Sequence, residues 1–585
     1  VKNSWWKNWR AESFAPLIAY ALATWLTNAR IMGDTLYYVD SILRVRAGGQ
    51  KFSFWEPLGN YSFYEFGHLL WRPFGYLVVA LYDLLAGSGE TAAAAAADGR
   101  VRVTLVLVAV NWVAGLACVL SLHSLLRRLG VDGWVRMAVT ISFICAHAFL
   151  NFTQTGSSYV PALAALLLGM YVLARAGARA EGRVWPQALL AGFALACAVG
   201  FWFLFVWAIP AALLLPVLFF GRDRRRLLLA TATAFVCGAF VLSMYSWAAM
   251  WGLGITDVAT FKAWVASSSH GLGNNRGVPQ VVLGFARSFI EMGNDNIIFK
   301  RFLLRDPYNV VSMFDLLRLS LWKLALFYLA LVAVVCALLT KRAENRRMLA
   351  LLAVGSVPVI TFALLWQGTP LERYLPLYPV FFLATAYALR TSEGFARWLR
   401  PVVLVFMAAA IVSNLSALLV GRVNRVPEEA TGRTRELVPL LKPQSVVVEV
   451  SEELKDLQWA YPLHPLNRVL RVYSAVSLGA SSTAEWREDF ARQALLVWGE
   501  GGDVWLSKRV LEERPRAASS WVEGADPRVK WADVYTFFAQ LEEGGRIGDR
   551  DGFVLVARTA RNEQLLAALA QTKEPPATLN PAQSD

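Results

Sequence analysis

Long apolar runs recur along this chain, and each must be kept out of water. About eleven are long enough to cross a bilayer as helices. They are Phe14–Met32, Val103–Leu126, Val135–Phe152, Tyr159–Ala174, Gln187–Phe201, Phe203–Phe220, Leu227–Met250, Leu321–Leu339, Leu349–Trp366, Tyr374–Leu389 and Val402–Val420. The stretch from Gln187 to Phe220 exceeds one crossing, so its length predicts a hairpin near Trp202. With 56% hydrophobic and only 17% charged residues, the sequence reads as a polytopic α-helical membrane protein. The basic N-terminus "VKNSWWKNWRAESF" could pass for a signal peptide, but many spans follow, and we read an uncleaved first helix.

The net charge of +14 would suggest nucleic acid in a soluble chain. Here the basic residues fall in particular loops. If the apolar stretch Gly67–Leu85 lies on the outer surface rather than spanning, one side collects Arg127, Arg128, Arg136, Arg175, Arg179, Arg183, Arg222, Arg224 to Arg226, Lys341 to Arg347 and Arg390 to Arg400. The opposing turns, "TQTGSS" and the one at Trp202, carry no basic residue. Positive loops face the cytoplasm, so the N-terminus is expected inside and the end of the last span outside. The pattern predicts a cytoplasmic (inner) membrane protein and no nucleic-acid partner. Gly67–Leu85 is then a juxtamembrane or re-entrant helix broken by Pro73.

This division leaves a membrane part, residues 1–425, with outer loops at 33–102 and 251–320. A tail domain at 426–571 and a disordered end at 572–585 follow. In the tail, "SVVVEV", "RVLRVYSAV", "DVWLSKRV" and "GFVLVAR" read as buried strands, and "STAEWREDFARQALL" as a helix. The tail is therefore expected to be an extracytoplasmic, periplasmic α/β domain. The five cysteines, Cys118, Cys145, Cys197, Cys237 and Cys336, lie in apolar runs without CxxC spacing, which argues against a disulfide framework or a cysteine metal site.

Chemistry is expected on the outer face. Asp34 follows the first span, with Tyr37 and Tyr38 one turn on and Asp40 beyond. A carboxylate there can take a proton from an acceptor hydroxyl. It also fits the N-cap position of a helix starting at Thr35. Glu65, His68 and Arg72 in "YEFGHLLWRP" share one helical face, and Glu56 lies in the same loop. Two such carboxylates can divide the work or hold a divalent cation such as magnesium or manganese. In the second outer loop, "SSSHGLGNNRG" carries His270 and Arg276; it reads as a lid or as an ordinary solvated loop. The third group is Glu372, Arg373 and Tyr374 in "WQGTPLERYLPLYP". Arg373 is basic on the outer side, an exception to the charge pattern, and can clamp a lipid phosphate or snorkel to headgroups.

The chain resembles the GT-C superfamily of membrane glycosyltransferases, among them protein O-mannosyltransferases and lipid A aminoarabinose transferases. The residues that carry the resemblance are "MGDTLYYVD" after the first span, the surface helix with Pro73, "LLRRLG" closing the second span, and "ERYLPLYP". It extends over roughly Phe14 to Val420. The resemblance implies a polyprenyl-phosphate-linked sugar as donor, a catalytic role for Asp34, and Arg373 near the donor phosphate. The acceptor is a glycan, a lipid or a protein. Relatives commonly follow the first aspartate with a second acid, where this chain has Thr35, and many carry an arginine and an aspartate in the turn that here reads "NFTQTGSSYVPAL". The second acidic role then falls to Asp40, Glu56 or Glu65. An oligosaccharide ligase or polymerase, or a lipid-linked sugar transporter, is the alternative.

Overall fold

The computed structural model describes residues 2–29, 34–47, 63–86, 92–179, 181–267, 277–292, 312–339, 342–390, 396–419, 437–442, 444–450, 469–472, 476, 485–513, 522, 529–548 and 552–570. The chain divides into two compact units. The first comprises Val1–Gly89, Arg102–Met292 and Leu319–Val423; the second Glu90–Val101, Gly293–Arg318 and Asn424–Asp585.

The helices in order are α1 (Lys2–Leu26), α2 (Thr35–Ala47), α3 (Trp71–Ala86), α4 (Ala92–Arg128), α5 (Gly133–Ile144), α6 (His147–Phe152), α7 (Tyr159–Gly177), α8 (Val184–Phe201), α9 (Ile209–Phe220) and α10 (Arg224–Ser246). After them come α11 (Val258–Ser267), α12 (Val278–Phe289), α13 (Met313–Leu316), α14 (Trp322–Leu338), α15 (Ala343–Leu365), α16 (Tyr378–Arg390) and α17 (Ala396–Leu418). Among the described residues, eight helical segments are long and apolar enough to cross a membrane. This is a multi-pass membrane protein. The segment of α7 lies deepest, with 72% of its window buried, whereas only 22% of Arg224–Gly252 is buried, leaving that segment's apolar side chains on the outside of the bundle.

Local chemistry sets the breaks. The "LLRRLG" end of α4 closes as a Schellman motif: Val131 N–H donates to Leu126 O and Gly130 N–H to Arg127 O, with Gly130 at φ +73°, where a side chain would be strained. Asp223 caps α10 by accepting from Arg226 N–H at 2.9 Å. At Trp202 the backbone is extended (φ −152°, ψ 113°) between α8 and a 3-10 turn, Phe203–Ala208, and this divides the long apolar run. Three expectations need correction. The run Val135–Phe152 is two helices, because Ala146 is extended (φ −63°, ψ 134°). Helix α16 is short, 13 residues, and buried along nearly its whole length, so it presents little surface to lipid. Pro73 does not break its helix; α3 starts at Trp71, and a proline in a first turn removes no internal hydrogen bond.

Polar ties fix the ends of the bundle. Thr27 and Leu419 form an antiparallel bridge that joins the end of the first helix to the end of the last. Asn414 Nδ2 donates to Cys145 O (2.7 Å) and Phe289 O (2.8 Å), and its Oδ1 accepts from Glu291 N–H (2.7 Å). One buried amide thereby secures α17, the break after α5 and the end of α12.

In the second unit, β1 (Val446–Glu449), β2 (Val469–Arg471), β3 (Val504–Ser507), β4 (Glu543–Ile547) and β5 (Phe553–Val556) form one sheet in the order β2-β1-β3-β5-β4. Strand β1 pairs in parallel with β2 and β3, while β5 runs antiparallel to β3 and β4. Valines of β1, Trp486 and Phe490 of the helix Glu485–Gly499, and Phe537 and Phe538 of the helix Trp531–Ala539 share the core. The edge strand β4, "EGGRI", is almost wholly exposed and lacks an apolar alternation, so the sequence did not mark it as a strand.

Candidate active site

Asp34 stands immediately before α2, and its position is set by the turn between α6 and α7. Thr35 Oγ1 accepts from Gly156 N–H at 3.0 Å, and Trp71 Nε1 donates to Gly156 O at 3.0 Å. A Cβ on Gly156 would sit 2.8 Å from Thr35 Cγ2, so only glycine allows this approach. Asn111 Nδ2 holds the same turn at Ser157 O (2.8 Å), and Gln154 Nε2 reaches Thr27 Oγ1 (2.9 Å). Tyr159, the first residue of α7, leaves this turn and donates its hydroxyl to Asp34 Oδ2 at 2.5 Å. Tyr38, one turn into α2, donates to the same oxygen at 3.2 Å. Among the described residues these phenols are the only hydrogen-bond partners of the Asp34 side chain. The carboxylate is therefore not spent capping α2, and its other oxygen is uncommitted. Asp34 itself is half-buried.

Behind Tyr38 lies a buried brace. Arg72 is fully buried, and its Nη2 donates to Glu65 Oε2 at 2.5 Å. Its guanidinium lies 4.6 Å from the Tyr37 ring centroid and 4.9 Å from that of Tyr38. Burial raises the Tyr38 phenol well above its ordinary range, and the charges of Asp34 and Glu65 add to this, so Tyr38 stays a hydroxyl and a donor. His68 is buried beside it. Its Nδ1 lies 2.7 Å from Ser158 Oγ, and its ring stacks on Trp202 at 6.1 Å and 9°.

The opposite wall comes from the 3-10 turn Leu371–Leu377 and from α12. Arg373 lies 5.6 Å over the Trp202 ring and donates to Gln367 Oε1 at 2.7 Å, while its Nε is buried without a hydrogen-bond partner. Glu372 is half-buried, and burial raises its carboxyl above the usual glutamate range. The Arg373 charge opposes that rise, Asp34 adds to it and Arg287 opposes it, so all four groups share one electrostatic neighbourhood. Burial lowers Arg287, with Glu372 and Glu291 pulling it back up. Glu291 is held by Lys323 at 3.0 Å. A backbone contact fixes this wall, since a Cβ on Gly284 would lie 2.0 Å from Gly368 O.

These placements revise several sequence expectations. Glu65, proposed as a second acid, is committed to Arg72. Arg72 and His68 are buried and pack against Tyr38. Tyr374 is buried, with its hydroxyl on Gly368 O (2.6 Å) and Val281 O (3.3 Å), where it clips the turn to α12. Glu56, His270, Arg276 and the side chain of Asp40 lie outside the described residues. The sequence reading missed Tyr159, Ser158 and Trp202 as members of this cluster, whereas Arg287 belongs to the basic residues of the second outer loop that it read as able to receive a phosphate. A usable signal was the tyrosine just after the glycine turn "TQTGSS", which the charge pattern puts on the same side as the Asp34 loop. Among the described residues no three His, Cys, Asp or Glu side chains converge as a metal-binding group.

No family model matches the chain, and neither does any curated protein. Among solved structures it is similar to ArnT from Cupriavidus metallidurans bound to undecaprenyl phosphate, at 12% identity and a TM-score of 0.49, with 95% of this chain and 99% of that one covered. It is similar to the apo oligosaccharyltransferase of Archaeoglobus fulgidus at 12% identity and a TM-score of 0.47, with 92% and 73% covered. The arabinofuranosyltransferase AftD from Mycobacteria follows at 11% identity and a TM-score of 0.43, with 94% and 40% covered.

Proposed function

We propose that this protein is a membrane glycosyltransferase that transfers a sugar from a polyprenyl-phosphate-linked donor to an acceptor hydroxyl on the extracytoplasmic face, by inverting displacement. The donor class is what the sequence resemblance implies. The sidedness follows from the charge pattern, on a reading of about eleven spans with the N-terminus inside. One observation carries the chemistry: Asp34 is half-buried, one carboxylate oxygen is fixed by two phenols, and among the described residues the other is uncommitted.

In this reading the acceptor oxygen attacks the anomeric carbon while Asp34 takes its proton. The bond from that carbon to the phosphate oxygen breaks, and its electron pair leaves with the phosphate. A base in this role contributes about 10²- to 10⁴-fold. Arg373 and Arg287 supply positive charge for the departing phosphate, and the unpartnered Arg373 Nε supports contact with an anion. Glu372 takes the place of the second acid that the sequence reading assigned to Asp40, Glu56 or Glu65, because it shares the electrostatic neighbourhood of Asp34.

The test is turnover of a panel of polyprenyl-phosphate sugars by purified wild type and by Asp34→Asn, with membrane extract as acceptor source. Wild type is expected to consume at least one donor and the folded variant none. Equal consumption by both, or by neither, would move the transporter reading ahead.

A further inference from the structure

The base side and the cation side of the cluster rest on one indole. Trp202 is 3% exposed and lies in the extended link between α8 and the 3-10 turn Phe203–Ala208. Its backbone is tied in both directions: its N–H donates to Ala198 O at 3.1 Å, and its carbonyl accepts from Phe205 N–H at 3.0 Å. Three separate segments pack on its ring. Tyr159, at the start of α7, donates to Asp34 Oδ2 at 2.5 Å and has its ring centroid 4.7 Å from that of the indole. Arg373, in the turn Leu371–Leu377, lies over the same ring at 5.6 Å. His68, at the end of the short turn Phe66–His68, lies nearly parallel to it at 6.1 Å and 9°.

We propose that Trp202 is a positioning residue that sets the spacing between the Asp34 base and the Arg373 cation. This rests on the function proposed above. In an inverting displacement the acceptor oxygen, the anomeric carbon and the departing phosphate oxygen stand in line. The base and the cation that receives the phosphate must then be held a fixed distance apart, and an error of about 1 Å costs about 10²-fold in rate. Trp202 acts on the base through Tyr159 and on the cation directly. A ring face suits this second task. It attracts a guanidinium without cancelling its charge, whereas a carboxylate in the same place would neutralise it. Arg373 is thereby oriented and still charged when the phosphate arrives. Trp202 does this by packing, and it takes no part in bond making.

The experiment uses full-length protein and the donor that wild type consumes. Donor Kd and the single-turnover rate of bound donor are compared for wild type, Asp34→Asn, Trp202→Phe and Trp202→Leu. Phenylalanine keeps a ring face at this position, and leucine keeps apolar bulk without one. Trp202→Leu is expected to transfer bound donor about 10²-fold more slowly and to bind it about threefold or more weakly. Trp202→Phe is expected to stay within about tenfold of the wild-type rate. Only molecules that have bound donor enter the single-turnover rate, so a loss of folded protein alone does not move it. The leucine change is also expected to cost less in rate on a Tyr159→Phe background, and less in Kd on an Arg373→Leu background, than it does in wild type. If Trp202→Leu does not fold, the same two backgrounds are combined with Trp202→Phe. Leucine matching phenylalanine in rate and affinity, or full additivity on both backgrounds, overturns the positioning role while an inactive Asp34→Asn leaves the transferase reading standing. Wild type and Asp34→Asn behaving alike overturns the transferase reading, and this role with it.

Discussion

Arg72 and Arg373 are both arginines laid against aromatic rings, yet they are built for different ends. Arg72 is fully buried, ion-paired to Glu65 at 2.5 Å, and covered by Tyr37 and Tyr38. Its Nε and Nη1 have no hydrogen-bond acceptor, and ring faces take that place. Arg373 is half-buried, makes no direct ion pair among the described residues, and donates to the neutral amide of Gln367. The first cation is consumed by the protein and holds Tyr38 in position. In the proposed reaction the second keeps its charge for an anion. Burial and the charge of the nearest partner, more than residue type, separate an arginine that builds a site from one that binds in it.

The largest effect expected from breaking this contrast is at Arg72. Arg72→Leu removes the buried ion pair with Glu65 and should cost about 3–5 kcal/mol. Thermal unfolding in detergent would read this as a collapse of the midpoint, with activity lost alongside it. Arg373→Leu should change stability by no more than about 1 kcal/mol. A destabilisation at Arg373 as large as that at Arg72 would erase the distinction. Gly284→Ala should come next, because its Cβ would meet Gly368 O at 2.0 Å and must push α12 off the turn that carries Arg373. Lower stability together with weaker donor binding is expected, and a silent substitution would show that this contact does not set the wall.

Tyr159→Phe removes the shorter of the two phenol bonds to Asp34, a charged acceptor, for a loss of about 1.5–3 kcal/mol. This should fall on kcat, with Tyr38→Phe weaker in proportion to its longer bond; equal or absent effects would contradict the geometry. The smallest effect concerns pH. Burial raises the Glu372 carboxyl, so between the ordinary glutamate range and the raised value the folded chain holds a proton that the unfolded chain has released. The stability this group contributes is therefore full at low pH and falls as pH rises through that window. Glu372→Gln should flatten the slope, as read from unfolding midpoints across acid to neutral pH. A variant that keeps the wild-type slope would place the titration elsewhere.

Much of the membrane architecture was legible because hydropathy reports directly on burial in lipid. The break at Trp202 followed from length alone, and the strands of the tail from their valine-rich runs. The split after Ile144 was hidden, because Cys145 and Ala146 are as apolar as the helices they separate. Asp34 and Arg373 stood out by position. Tyr159 and Trp202 did not, because each lies in an apolar run where an aromatic residue is the default. Glu65 shows the opposite case: helical spacing brought it to Arg72, and only the structure reveals that the two form a buried ion pair.

The most direct test of the account separates binding from chemistry. Donor affinity and single-turnover transfer would be measured on the same preparations of wild type, Asp34→Asn and Arg373→Leu, using the donor that wild type consumes. The account predicts that Asp34→Asn binds donor as wild type does and fails to transfer, while Arg373→Leu binds donor more weakly. Donor binding lost at Asp34 with transfer intact in what remains bound, or unchanged binding at Arg373, would contradict it.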